Sequence, residues 1–178
     1  MPPKDWKNRA QKIHLLLLDV DGVLTDGRIA YDGTGREIKF FDVKDGQGIK
    51  FLQGGGIEVG ILSSRESRAV KKRAEELGIR LVRQKVQDKQ EELAAIQRER
   101  KLTGEEIAYV GDDWVDLPLF SRVGLAVAVA DSIPELKRKA HYITRSPGGC
   151  GAVREIGEAI LKAQGKWGQV TEKYFPSG

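Results

Sequence analysis

The chain has 178 residues, 40% of them hydrophobic and 31% charged, which is enough apolar material for one domain with a real core and argues against global disorder. Thirty Lys and Arg against 26 Asp and Glu leave a net charge of +4; the basic stretch 65–101 holds 12 basic and 7 acidic side chains but no aromatic, so it fits a small anionic ligand or a solvated helix face better than nucleic acid. A single cysteine excludes a disulfide framework and a cysteine zinc cage, and the N-terminal stretch lacks the apolar run of a signal peptide or membrane span, so a reducing, cytoplasmic setting is expected.

In chain order, 1–12 is a polar extension, 13–164 forms the domain and 165–178 is a short tail. Apolar runs at 13–20, 57–63, 79–82, 107–111, 124–130 and 141–144 predict strands, the first five apolar on both faces as in a parallel sheet covered by helices on both sides. Helical patterns fill 46–53, 66–77, 89–101, 115–122, 133–139 and 151–164, with Ser132 expected to cap the fifth and Pro134 in its first turn. The alternation predicts an α/β fold with a doubly wound, mostly parallel, Rossmann-like sheet. One piece departs from it: about 28–43 reads as a β-hairpin around Asp32-Gly33-Thr34-Gly35, inserted after the first strand. An isolated hairpin is marginal in water, so it is expected to pack against other copies of the chain, the alternative being its own domain. Gly54-Gly55-Gly56 lacks a following Gly-Lys-Ser/Thr and reads as a helix stop. The tail, with Trp167, Tyr174 and Phe175, is too short to fold alone and is expected to be disordered or to dock on a partner.

The chemistry concentrates at strand ends. Asp19-Val20-Asp21-Gly22 follows the first strand and Gly111-Asp112-Asp113-Trp114-Val115-Asp116 begins at the end of another, so both clusters fall on the rim where parallel α/β sheets bind ligands. Two carboxylates about 4 Å apart repel by roughly 4 kcal/mol at an effective dielectric of 20, so such a group either protonates or holds a cation. Hard oxygen donors suggest Mg²⁺. Ser63 ends the second core strand and Lys89 begins a helix near the same rim. Carboxylates, a hydroxyl, an ammonium and a metal are the requirements of phosphoryl transfer. An EF-hand starting at Asp19 fails, because Val23, Leu24 and Ala30 stand where a ligand, a glycine and a glutamate are needed. Cys150 has no flanking histidine, and His14 and His141 sit beside apolar strands, so none of the three is assigned to chemistry.

Asp19-x-Asp21-Gly22-Val23-x-Thr25, then Ser63, Lys89 and Gly111-Asp112-Asp113-x-x-Asp116 in order, resemble the four motifs of the haloacid-dehalogenase-like phosphatases. The hairpin, Asp45-Gly46-x-Gly48-Ile49 and Gly148-Gly149-x-Gly151-Ala152-Val153-Arg154-Glu155 are similar to the 3-deoxy-D-manno-octulosonate 8-phosphate phosphatases within them, over about 13–164. The resemblance implies a Mg²⁺-dependent phosphomonoesterase with Asp19 as nucleophile, Asp21 as acid and base, and Ser63 and Lys89 on the phosphoryl group. It implies Mg²⁺ held by Asp19, the Asp21 carbonyl and Asp112, with Asp113 or Asp116 in support, and a homotetramer built through the hairpin. No stretch is long enough for a cap domain. Arg65 is placed to meet a substrate carboxylate, an ion pair with Glu66 or another neighbour being the alternative; Ser64 stands where the family generally has Gly. Two other readings stay open: a phosphatase for another sugar acid phosphate such as a neuraminate-like 9-phosphate, and a receiver-type domain whose aspartyl phosphate persists.

Overall fold

In a computed structural model the structure describes residues 5–174, so Phe175 lies outside the described residues. A six-stranded sheet runs β5 (Leu81–Arg83), β4 (Glu58–Leu62), β1 (Leu15–Leu18), β6 (Ile107–Gly111), β7 (Leu125–Ala128), β8 (Tyr142–Ile143), and every pairing is parallel. Alternation along β1 sends Leu16 and Leu18 into one hydrophobic cluster and Leu15 and Leu17 into the other, all four fully buried. Each such leucine contributes about 1.5–3 kcal/mol by leaving water, which is why this strand sits at the centre. The strands are shorter than their apolar runs because several flanking apolar residues, Ile13 and Val129 among them, are buried beyond the sheet ladder.

The first cluster is covered by α2 (Val43–Gly54), α3 (Arg68–Leu77) and α7 (Ala152–Ala163), and the second by α4 (Lys89–Arg100), α5 (Leu117–Phe120) and α6 (Pro134–Lys139). As expected, α2 stops in the glycine run, with Gly55 as its C-cap and Gly56 at φ +77°. The helix predicted at 115–122 is instead a 3-10 turn, Trp114–Asp116, leading into the short α5. Ser132 does not cap α6: Ile133 takes that position, and the Ser132 hydroxyl is buried with no hydrogen-bond partner among the described residues. His141 is structural, its Nδ1 accepting from the Ala126 amide at 2.9 Å.

Two terminal segments fold more than their lengths suggested. The extension forms α1 (Trp6–Gln11), whose Trp6 packs edge-on against Tyr142 with ring centroids 4.9 Å apart. The tail, expected to be disordered or to dock on a partner, instead forms α8 (Trp167–Thr171) and a 3-10 turn through Tyr174. Phe51 of α2 explains this, meeting Trp167 and Tyr174 edge-on at 5.4 and 5.7 Å. An apolar dock on its own domain supplies the burial that the segment lacks by itself.

The hairpin forms a separate sheet of β2 (Ala30–Tyr31) and β3 (Glu37–Ile38). Its turn is tied by Asp32 Oδ1, which accepts from the Thr34 amide, the Thr34 hydroxyl and the Arg36 amide at 2.7–2.9 Å. Burial alternates along 37–40: Glu37 and Lys39 turn towards the domain while Ile38 and Phe40 are exposed, as are Ile29 and Tyr31. One face of the hairpin is therefore folded back and the other presents apolar side chains to solvent.

Candidate active site

Register alone brings the site together. Leu18 is level with Ile61 of β4 and Val110 of β6, so Asp19, Ser63 and Asp112 emerge within a residue of one another along the rim. All three are withdrawn from solvent, Asp19 and Ser63 being buried and Asp112 half-buried. Asp88 caps α4, accepting from the amides of Gln90 at 2.7 Å and Glu91 at 3.1 Å, and this fixes Lys89 as the first helical residue, facing inward. Its ammonium lies 3.2 Å from Asp19 Oδ1 and 2.6 Å from Asp116 Oδ1.

Asp116 organises what surrounds it. Its Oδ1 accepts from Lys89 and from the Tyr109 hydroxyl (2.5 Å), and its Oδ2 accepts from the amides of Asp112 (2.9 Å) and Asp113 (3.4 Å). Gly111 is needed beneath it, since a Cβ there would lie 2.6 Å from the Asp116 side chain. The two candidates for support thus separate. Asp116 is buried and fully bonded, whereas Asp113 is exposed and its carboxylate accepts from the Trp114 amide at 2.8 Å.

The charge balance points to a cation. Carboxylate oxygens of Asp19, Asp112 and Asp116 all lie within 4.8 Å of one another, with one ammonium among them. Burial, then Asp116, raise Asp19 to about 7 against the opposing pull of Lys89. Burial, then Asp116 and Asp19, raise Asp112 to about 8. Burial alone would lower Lys89, but Asp116 and Asp19 outweigh it and raise it, so the ammonium stays charged. Tyr109 is pushed well above its ordinary range by burial and by Asp116, and stays a neutral donor. Asp112 Oδ1 is buried with no hydrogen-bond partner among the described residues, and an unpaired anionic oxygen beside a second carboxylate suits a hard divalent ion.

Glycines and a distant aspartate brace the first loop. Gly22 takes φ +88°, and a Cβ on it would run into the Asp112 carboxylate. A Cβ on Gly148 would strike the Gly22 carbonyl, and the Gly149 amide donates to the Val23 carbonyl at 2.9 Å. Asp45 accepts from the amides of Gly151 (3.2 Å) and Arg154 (2.8 Å), which ties the start of α2 to the start of α7. The glycine-rich late segment and the Asp45 motif are therefore one support for the loop that carries Asp19 and Asp21.

On the hairpin side, Arg65 is 2.6 Å from Glu37 Oε2 and 3.6 Å from Asp21 Oδ2, while Glu66 pairs only loosely with Lys85 at 3.9 Å. Ser64 does not occupy the left-handed region, so a side chain there costs no backbone strain. Ser63 Oγ accepts from the Arg65 amide at 3.3 Å. Lys39, Glu37 and Tyr109 did not emerge from the sequence reading. Lys39 pairs with Asp21 through its ammonium and lies 3.5 Å from Glu37. The alternation of Glu37 and Lys39 along one hairpin face was the available signal for the first two, whereas Tyr109 sits in an apolar run that reads as core.

Residues 81–156 match the haloacid dehalogenase-like hydrolase family. The chain is 46% identical over 166 residues to the 3-deoxy-D-manno-octulosonate 8-phosphate phosphatase of Yersinia pestis, covering 91% of this chain and 87% of that protein. Its fold is similar to a crystal structure of a probable phosphatase from Pseudomonas syringae, with TM-score 0.95, 43% identity and coverage of 99% and 100% of the two chains. It is also similar to the 3-deoxy-D-manno-octulosonate 8-phosphate phosphatase of Moraxella catarrhalis, whose structure is in complex with magnesium ion, phosphate ion and a KDO molecule; there the TM-score is 0.93 and the identity 36%, over 96% of this chain and 98% of that one.

Proposed function

The chain belongs to the 3-deoxy-D-manno-octulosonate 8-phosphate phosphatases of the haloacid dehalogenase-like hydrolases, and from that premise we propose the division of labour by which its own residues carry out Mg²⁺-dependent hydrolysis of the 8-phosphate ester. The observation that carries it is the meeting of Asp19, Asp112 and Asp116 around Lys89 at the carboxyl end of the sheet. Asp19 attacks phosphorus and becomes an aspartyl phosphate. Asp21 protonates the departing sugar oxygen and then takes a proton from the hydrolytic water, returning the site to its starting state. Ser63 and Lys89 bind the transferring phosphoryl group. Asp19, Asp112 and the Asp21 carbonyl would hold Mg²⁺, with Asp116 orienting the Asp112 loop. When bound, the ion neutralises carboxylate and phosphoryl charge. Arg65, paired with Glu37 but with 39% of its side chain exposed, meets the sugar carboxylate.

The family excludes the receiver-type reading. Assembly into a tetramer through the hairpin is supported by the exposed Ile29, Tyr31, Ile38 and Phe40, and a cytoplasmic setting by the lone cysteine. Assay with Mg²⁺ of 3-deoxy-D-manno-octulosonate 8-phosphate beside a neuraminate-like 9-phosphate tests the substrate. A clear preference for the first is expected, and equal, slow rates on both overturn it.

A further inference from the structure

Lys39 reaches the site from an insertion that belongs to neither face of the sheet, yet only 2% of its side chain is exposed. A desolvated ammonium needs anionic partners, and among the described residues it has two, Asp21 Oδ1 and, at 3.5 Å, Glu37 Oε2. Glu37 is shared with Arg65, 2.6 Å away. Lys39 thus occupies one oxygen of Asp21, while the nearest cation to the other, Arg65 at 3.6 Å from Oδ2, stands beyond hydrogen-bond distance and leaves that oxygen free for a proton. The burial of Lys39 keeps it from touching substrate, so any part it plays runs through Asp21 and Glu37, and of the two Asp21 is the one that takes part in the reaction.

We infer that Lys39 is a positioning residue that holds Asp21 for hydrolysis of the aspartyl phosphate, an inference that rests on the reading of Asp21 as the group that deprotonates water. In that step the water oxygen bonds to phosphorus and the bond from phosphorus to the Asp19 oxygen breaks. Its electron pair stays on the Asp19 carboxylate, and the water proton passes to Asp21 Oδ2. A lysine that merely pinned the hairpin would lower the number of competent sites and leave the partition between formation and breakdown of the intermediate unchanged.

The test is stopped-flow turnover of p-nitrophenyl phosphate by the Mg²⁺-loaded full chain, because p-nitrophenolate leaves without a proton and isolates the hydrolytic half. Lys39→Met is expected to release a burst approaching one p-nitrophenolate per site, then turn over at least tenfold more slowly than wild type. The burst amplitude counts folded sites, so partial unfolding does not imitate the result. Lys39→Arg, which keeps the cation, is expected to shrink the burst and recover most of the turnover. Asp21→Asn is expected to give a burst as well. If it does, while Lys39→Met keeps wild-type turnover or loses it without a burst, the positioning role is overturned and the reading of Asp21 stands. If Asp21→Asn itself gives no burst, that reading falls and the inference with it.

Discussion

On the sheet side of the first loop three carboxylates, Asp19, Asp112 and Asp116, share, among the described residues, the single ammonium of Lys89, whereas on the hairpin side Asp21 and Glu37 are matched by Lys39 and Arg65. The difference supports the proposed placement of the divalent ion on the sheet side. A charge-balanced group satisfies itself with ion pairs, while a buried excess of negative charge raises Asp19 to about 7 and Asp112 to about 8 unless a cation is supplied. The two sides are also built from different material. The sheet side hangs on strand ends whose register is set by a buried core, and the hairpin side hangs on two two-residue strands.

Removing the proposed nucleophile breaks the comparison most severely. Asp19→Asn is expected to lower turnover by about 10⁴-fold or more while the circular dichroism spectrum stays native; near-wild-type turnover would remove the proposed chemistry from the sheet side. Asp112→Asn takes one charge from the excess, and titration of activity with Mg²⁺ should show apparent affinity weaker by about 100-fold. On the balanced side the effect is on recognition. Arg65→Met should raise KM for the sugar acid phosphate by roughly tenfold, the loss of one charged hydrogen bond, and leave KM for p-nitrophenyl phosphate, which has no carboxylate, unchanged.

The smallest effect follows from the raised carboxylates. Without metal, folded Asp19 and Asp112 keep protons that the unfolded chain, with ordinary values near 3.8, has already lost. Folding therefore binds protons between about pH 4 and pH 8, and this contribution to stability is present at the acid end and lost as pH rises through about 7 and 8. Calorimetry should find that Mg²⁺ raises Tm more at pH 8 than at pH 5, by about 3 °C or more, since each kcal/mol moves Tm by roughly 2–4 °C in a chain of this size. Equal increments at the two pH values would show that the excess charge is not what the ion relieves.

The same contrast explains what the sequence disclosed. Asp19, Ser63 and Asp112 stand directly after apolar runs, and parallel pairing turns such positions into one rim, so the sheet side was legible from strand ends alone. Lys39 was not, because its partner lies 18 residues earlier and the hairpin's direction of folding is not encoded in strand periodicity. Asp113 and Asp116 could not be told apart until the 3-10 turn at Trp114–Asp116 sent one carboxylate outward and the other in. The fold of the tail depended on Phe51, a buried residue whose contacts with Trp167 and Tyr174 no local pattern announces.

The covalent intermediate is the sharpest point of contact with experiment. Enzyme quenched in acid during turnover, reduced with borohydride and digested should carry homoserine in place of Asp19 in the peptide spanning the first loop, in an amount that rises in Asp21→Asn. Rapid turnover with no modification at Asp19, in either protein, would contradict the account.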